Sequence, residues 1–228
     1  MTWSQEVRVG EDLIVSNAGP LTLIAGVNVV ESRDLVHQVA EVLVDVCSRH
    51  DIRLVFKASW DKANRSSIES YRGPGLAEGL SVLTSIRDTF SVPVVTDVHS
   101  EDHVQRVADV ADLVQIPAFL CRQTDLLRAA CETGRPLLIK KMQMMSPAEM
   151  NNILEKCRRF GGEQVILCER GTSFGYHNLV VDPLSFPKLK ELGAPVAFDV
   201  THALQRPGGR GVSTDGQGRF AEPLAVAG

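Results

Sequence analysis

Residues 51–100, DIRLVFKASWDKANRSSIESYRGPGLAEGLSVLTSIRDTFSVPVVTDVHS, hold one full turn of the pattern that decides the fold. A short apolar run, Ile52–Phe56, gives way to a polar loop, then to a stretch of helical period over Gly75–Phe90, then to a second apolar run, Val92–Thr96. The pattern extends in both directions. Further apolar runs fall at Leu21–Ala25, Leu113–Ile116, Leu137–Ile139, Val165–Cys168 and Val196–Phe198. Helical stretches fall at Ser32–Arg49, Glu101–Ala108, Arg122–Glu132, Ser146–Phe160 and around Pro183–Leu192. Ser146-Pro147-Ala148-Glu149 supplies a cap, a proline at the first helical position and an acid at the third, which is a helix start. Strand–helix alternation without a break in composition predicts one α/β domain over residues 1–228, built on a parallel sheet. Ahead of it, residues 6–16 read as a hairpin turning at Gly10-Glu11-Asp12. Pro207–Gly218 reads as a mobile glycine-rich loop, and Glu222–Ala227 as a helix beginning after the seventh strand.

Composition narrows the class. The chain has 228 residues, 44% hydrophobic but only 5% aromatic, so Val, Leu, Ile and Ala build the core, as suits buried parallel strands. α/β barrels reach this length as a single domain. A net charge of −4 argues against general nucleic-acid binding. No apolar run is long enough to cross a bilayer, and the start Met1-Thr2-Trp3-Ser4-Gln5-Glu6 lacks the features of a signal peptide. Cys47, Cys121, Cys131, Cys157 and Cys168 are odd in number, with no Cys-x-x-Cys pair, so free thiols in the cytoplasm are expected.

In such barrels chemistry collects just after each strand. Those places hold Asn28; Lys57, Ser59, Lys62, Asn64, Arg65 and Ser66; Asp97 and His99; Gln115, Ala118, Phe119 and Arg122; Lys140 and Lys141; Glu169 and Arg170; Asp199 and His202. Singly, a strand-end lysine is usually a solvated cap, a lone His202 a satisfied core histidine and Asn28 a turn residue. Several cations after successive strands of an acidic chain instead point to a ligand with multiple phosphates or carboxylates, whose charge offsets their desolvation. Asp97 and His99 stand at i, i+2, which keeps both on one side if the strand continues. Met142, Met144 and Met145 are expected to pack, and His37, His50, His103 and His177 form no constellation.

The blocks Gly26–Asp34, Phe56–Ser67, Tyr71–Gly75, Thr96–His99, Gln115–Asp125, Glu169–Gly171 and Phe198–Gln205 resemble the 3-deoxy-D-manno-octulosonate 8-phosphate synthase family from the hairpin to the last residue. The resemblance implies a TIM (β/α)8-type barrel and a cytoplasmic transferase, a homotetramer, serving lipopolysaccharide synthesis. It implies an aldol-type condensation of phosphoenolpyruvate with arabinose 5-phosphate. Carried over residue by residue, Lys57, Lys62, Gln115, Ala118, Lys140 and Arg170 would hold phosphoenolpyruvate. Asn64, Arg65 and Ser66 would hold the sugar phosphate, with Phe119 beside the substrates. Asn28, Ser59 and His202 would line the reacting carbons, and Asp97 and His99 would position the attacking water. No cofactor is expected: the metal-dependent branch carries a cysteine where this chain has Asn28, and an amide is a poor ligand for a borderline divalent metal.

Two departures stand out. Lys140-Lys141-Met142-Gln143-Met144 replaces the family's Lys-Lys-Pro-Gln-Phe, which is expected to alter packing only. The family also continues beyond the position of Gly228 through an eighth strand and helix, so the chain is expected to form an open barrel with low stability and little activity on its own. A related enzyme, 3-deoxy-D-arabino-heptulosonate 7-phosphate synthase, typically carries Lys-Pro-Arg-Thr after the second strand. Lys62-Ala63-Asn64-Arg65-Ser66 favours the five-carbon sugar instead. The competing reading from another class is a non-catalytic member that at most binds ligands or a partner.

Overall fold

The computed structural model describes residues 5–209 and 215–228. The first four residues, and the part of the Pro207–Gly218 loop over 210–214, lie outside the described residues. The hairpin comes first, with β1 (Glu6–Val9) antiparallel to β2 (Leu13–Ser16). Then follow β3 (Thr22–Gly26), α1 (Arg33–Arg49), β4 (Arg53–Lys57), α2 (Leu76–Phe90), β5 (Val94–Asp97), α3 (Glu101–Ala108), β6 (Leu113–Ile116), α4 (Thr124–Glu132), β7 (Leu137–Lys140), α5 (Met150–Arg159) and β8 (Val165–Glu169). A short ribbon, β9 (Thr172–Ser173) with β10 (Leu179–Val180), precedes α6 (Ser185–Lys190) and β11 (Val196–Phe198). The chain closes with α7 (Val200–Ala203), β12 (Gln205–Arg206) paired to β13 (Asp215–Gly216), and α8 (Ala221–Ala227).

Seven strands pair in parallel in the order β3-β4-β5-β6-β7-β8-β11, which is the order of the chain. Strands that always pair with the next in sequence across a helical crossover wind in one direction and curl, as in a TIM-type barrel. Among the described residues β3 and β11 have a partner on one side only. They are half-buried, whereas β5 to β8 are buried throughout.

Alternation along each strand divides the side chains into two sets. Phe56, Val94, Val114, Ile116, Leu137, Ile139, Val165 and Leu167 face outward into the layer shared with Val36, Leu83, Ile86, Val107, Leu127 and Leu154 of the helices. Val55, Val95, Leu113, Leu138 and Ile166 face inward and meet Val7, Val9 and Leu13 of the hairpin. Ile24 of β3 and Ala197 of β11 pack on this same inner cluster, so both edges of the sheet reach one floor. Both faces of the strands are thus apolar, which is why they read as continuous runs.

Polar bonds dock the hairpin. The Arg8 backbone N–H donates to Gln164 Oε1 at 2.9 Å. The Asn17 amide donates to the Ala194 carbonyl at 3.0 Å and accepts from Val196 N–H at 2.9 Å, tying the hairpin to the entry of β11. Helix starts follow the sequence signals. Ser32 Oγ caps α1 by accepting from Leu35 N–H at 3.2 Å, and Ser146 with Glu149 forms a capping box ahead of α5.

One expectation needs correction, and some short elements carry no signal in the sequence. Met144 does not pack: it is 74% exposed, while Met145 is buried and Met142 lies against the core. The short ribbons β9–β10 and β12–β13 and the one-turn α7 were not anticipated, since two-residue strands carry no period to read.

Candidate active site

The inward alternation that builds the floor also builds the site. Two residues beyond Val55, Val95, Leu113, Leu138 and Ala197 stand Lys57, Asp97, Gln115, Lys140 and Asp199, on the same face and one layer nearer the C-terminal ends of the strands. The Ile24 column ends instead in Gly26 (φ +158°), where a Cβ would collide with the Lys57 carbonyl oxygen. Val27 N–H donates to that carbonyl at 2.9 Å, so Gly26 lets β3 lie close enough to β4 to bring Asn28 beside Lys57.

Lys57, Asp97, Gln115 and Lys140 line a cavity of ≈ 480 Å³ at the C-terminal end of the sheet. Asn28, Lys57, Lys62, Asn64, Arg65, Ser66, Asp97, His99, Gln115, Ala118, Phe119, Lys140, Arg170 and His202 all line it, so every residue to which the resemblance gives a role is there except Ser59. Ser59 is fully buried behind the wall and accepts from Lys62 Nζ at 2.6 Å, so it reaches the cavity through that lysine. Gln143 and Gln205 line the cavity too, although sequence reasoning passed over them. Asp199, read from the sequence at the end of the seventh strand but given no role there, borders a second cavity of ≈ 340 Å³ between β3 and β11. Arg122 is exposed and does not line the cavity.

One wall is an Asp–His pair. His99 Nε2 lies 3.2 Å from Asp97 Oδ2. Burial alone would raise the Asp97 carboxyl, but the His99 hydrogen bond and the Lys62 and Lys57 charges outweigh it and hold the carboxyl below the usual carboxylate range. Trp60, buried and absent from the expected set, supports this wall. Its indole N–H donates to the Asp97 carbonyl at 2.8 Å, and its ring lies 5.1 Å from that of His99 and 4.9 Å from that of His103. His103 thus has a supporting place. The opposite wall is a second pair: Asp199 Oδ2 is ion-paired with Lys140 Nζ and lies 2.8 Å from His202 Nδ1. Burial raises the Asp199 carboxyl, and the Lys140 charge and the His202 hydrogen bond override it, holding it well below its ordinary value. Burial pushes the His202 imidazole down, and the Asp199 hydrogen bond offsets this only in part.

The cations between these walls are desolvated. Burial, then the Lys140 charge, lowers Lys57. Burial brings Lys62 down to about 8 despite the Asp97 carboxylate. Burial lowers Arg170, whose Nη2 donates to Gln205 Oε1 at 3.1 Å while Nη1 is buried with no partner among the described residues. Lys141 points the other way: it is fully buried, donates to Thr172 Oγ1 at 3.0 Å and lies 3.4 Å from Glu169 Oε1, which also accepts from Arg170 and Gly171 N–H at 2.9 and 2.7 Å. Lys141 and Glu169 therefore fix the strand ends at which Lys140 and Arg170 stand.

The loop after β4 closes the remaining side. Lys62 N–H donates to the Arg72 carbonyl at 2.7 Å, and Asp61 is ion-paired with the Arg72 guanidinium. Gly73 (φ +135°) lies against the Trp60 carbonyl, where a Cβ would collide. So anchored, the loop presents Asn64, Arg65 and Ser66, all exposed, at the rim opposite the deep lysines. The site thus offers desolvated cations at its base, polar and cationic groups at its rim and two oriented imidazoles between. That arrangement can hold an anion at each end of a cavity and move protons between them.

Comparison with known proteins agrees with this chemistry. Residues 4–216 match the model of the DAHP synthetase I family. The 2-dehydro-3-deoxyphosphooctonate aldolase of Acinetobacter baylyi (strain ATCC 33305 / BD413 / ADP1) is 54% identical over 222 residues, which cover 97% of this chain and 78% of the relative. Enzymes of the same name from Hahella chejuensis (strain KCTC 2396) and Marinobacter nauticus (strain ATCC 700491 / DSM 11845 / VT8) are 54% and 53% identical, over 99% and 94% of this chain and 80% and 76% of their own lengths. The chain belongs to the DAHP synthetase I family, alongside the 2-dehydro-3-deoxyphosphooctonate aldolases.

Proposed function

We propose that the cavity condenses phosphoenolpyruvate with D-arabinose 5-phosphate and water, giving 3-deoxy-D-manno-octulosonate 8-phosphate and inorganic phosphate. The observation that carries this reading is the convergence of Lys57, Lys62, Lys140 and Arg170 on one cavity, with one guanidinium nitrogen that has no partner among the described residues. Desolvated cations are costly unless a ligand's negative charge compensates them, and phosphoenolpyruvate brings a carboxylate and a phosphate. Arg65 with Asn64 and Ser66 at the rim would bind the sugar's phosphate. Gln115 and Ala118 would seat phosphoenolpyruvate, Phe119 would shield it from bulk water, and Asn28 would face the sugar.

C3 of phosphoenolpyruvate attacks the aldehyde carbon, whose oxygen takes up a proton. Water adds at C2 and loses a proton, with Asp97 and His99 positioned to hold it. The resulting hemiketal phosphate expels phosphate by C–O cleavage and leaves the C2 ketone. The chain's own contribution is orientation and fixed charge around the developing anions. The family takes its description from the heptulosonate enzyme, but the relatives' names and the Lys62–Ser66 loop favour the five-carbon sugar. Among the described residues no helix is long and apolar enough to cross a membrane. We place the reaction in the cytoplasm, in a homotetramer, as a supply step for lipopolysaccharide.

The test is to incubate [2-¹³C]phosphoenolpyruvate and arabinose 5-phosphate with the protein in H₂¹⁸O. The reading expects the eight-carbon product with ¹⁸O at C2 and none in the released phosphate. Label in the phosphate, or product without ¹⁸O at C2, would refute it.

A further inference from the structure

We infer that Asp199 is a positioning residue: its carboxylate holds His202 in the tautomer with the proton on Nδ1, leaving Nε2 as a hydrogen-bond acceptor for a hydroxyl of the sugar substrate, while it anchors the Lys140 ammonium. The substrate named here rests on the function proposed above; the orientation of His202 does not.

Asp199 stands two residues beyond Ala197, so it faces inward from the end of β11, yet it does not line the larger cavity. It touches His202 twice. Oδ1 accepts from the His202 backbone N–H at 3.0 Å, which starts the one-turn helix α7. Oδ2 lies 2.8 Å from the ring Nδ1. At that range two lone pairs would repel, so a hydrogen sits between them, and an ionised carboxylate has none to give. Nδ1 therefore carries it. Lys140 Nζ also approaches Nδ1, but at 3.5 Å, the outer limit of a hydrogen bond, so the carboxylate sets the tautomer. A neutral ring so oriented has its lone pair on Nε2, and His202 lines the larger cavity. During condensation the substrates carry an O–H that must be held and a proton that must move between oxygens. An acceptor fixed in advance serves both needs without reorganisation.

The Asp97–His99 pair shows that this is a choice made at each wall. There it is Nε2 that faces the carboxylate, and Nδ1 is buried with no partner among the described residues. The two imidazoles are thus held by opposite nitrogens, each by an aspartate at a strand end.

The experiment uses the whole chain labelled with ¹⁵N-histidine, as wild type, Asp199→Asn and Asp199→Glu, with His202→Asn to assign the resonance. The expected wild-type spectrum shows His202 protonated on Nδ1. Asp199→Asn, which can donate to Nδ1, should shift His202 toward the Nε2–H form and lower kcat by about a hundredfold or more. KM for phosphoenolpyruvate should not rise, because the competing carboxylate is gone from Lys140. A merely structural role would raise KM and lower kcat together. Asp199→Glu should recover part of both tautomer and turnover. A wild-type His202 protonated on Nε2, or an unchanged tautomer in Asp199→Asn with kcat within about threefold of wild type, would overturn the inference. If the expected tautomer is seen in a wild-type protein that does not turn over phosphoenolpyruvate and arabinose 5-phosphate, the proposed function falls and the positioning of His202 stands.

Discussion

Lys140 and Arg170 carry the sharpest expectations at the residue scale, because both are buried cations on the cavity wall. A hydrogen bond to a charged group contributes about 1.5–3 kcal/mol, so Lys140→Ala and Arg170→Ala should each cost roughly tenfold to over a hundredfold in kcat/KM. Cys121 and Cys157 are buried in the outer layer, away from the cavity. Cys121→Ser and Cys157→Ser should therefore keep turnover and lose only melting temperature, as steady-state assays and thermal scans will show. Lys62, brought down to about 8 by burial, gives two opposite pH effects. As pH rises through about 8 the free enzyme loses this charge, so affinity for phosphoenolpyruvate should fall by up to about tenfold per pH unit. Stability moves the other way. Between about 8 and the ordinary lysine value the unfolded chain binds more protons, so burying Lys62 costs most below about 8 and this cost is relieved above it. Calorimetric titration and urea melts from pH 7 to 10 separate the two, and a Lys62→Met variant should flatten both. Asn28 supplies an amide where a thiolate would favour a metal, so exhaustive chelation should leave activity intact. A large loss restored by Mn²⁺ or Zn²⁺ would contradict that expectation. Strand-end residues were legible because charge after an apolar run is conspicuous. Trp60 and Gln143 were not, because nothing in a lone indole or amide reveals the backbone carbonyl or cavity it faces.

At the scale of elements, alternation does the positioning. It sets Lys57 above Val55 and Lys140 above Leu138, so the hairpin that fills the floor also supports the catalytic layer. Val7, Val9 and Leu13 are buried there, and three such side chains contribute roughly 5–9 kcal/mol, comparable with the stability of a whole domain, about 5–15 kcal/mol. Deleting residues 6–16 should abolish cooperative urea unfolding; a truncated chain with the full-length midpoint would show that the floor is closed by other means. Gly26 gives a second expectation: Gly26→Val should push β3 away from Lys57 and cost both stability and turnover, measured together. The long strands and helices were legible from period and caps, with Glu101–Ala108, Leu113–Ile116 and Val196–Phe198 matching residue for residue. The ribbon β9–β10 was not, because Gly171–Val180 is ordered by contacts such as Ser173 N–H to the Gln143 carbonyl at 2.9 Å, remote in sequence.

Across the whole molecule, burial of the strands falls from the middle of the sheet toward β3 and β11. Amide exchange should follow it, slowest in β5 to β8 and fastest at β3 and β11, since an edge opens without breaking a second ladder. Equal protection across the sheet would mean that these edges are covered in solution. The winding order was legible because every run is followed by a helix, and right-handed crossovers leave few alternatives. The lean of the two edges onto one floor was not, since it depends on how far the sheet curls. The central claim is that this cavity joins phosphoenolpyruvate to a five-carbon sugar phosphate. The most direct measurement is phosphate release from phosphoenolpyruvate with arabinose 5-phosphate and, separately, with erythrose 4-phosphate, by wild type and Lys140→Ala. The account predicts release that requires arabinose 5-phosphate, greatly exceeds that with the four-carbon sugar and collapses in the variant; equal or preferred use of erythrose 4-phosphate, or release unaffected by Lys140→Ala, would contradict it.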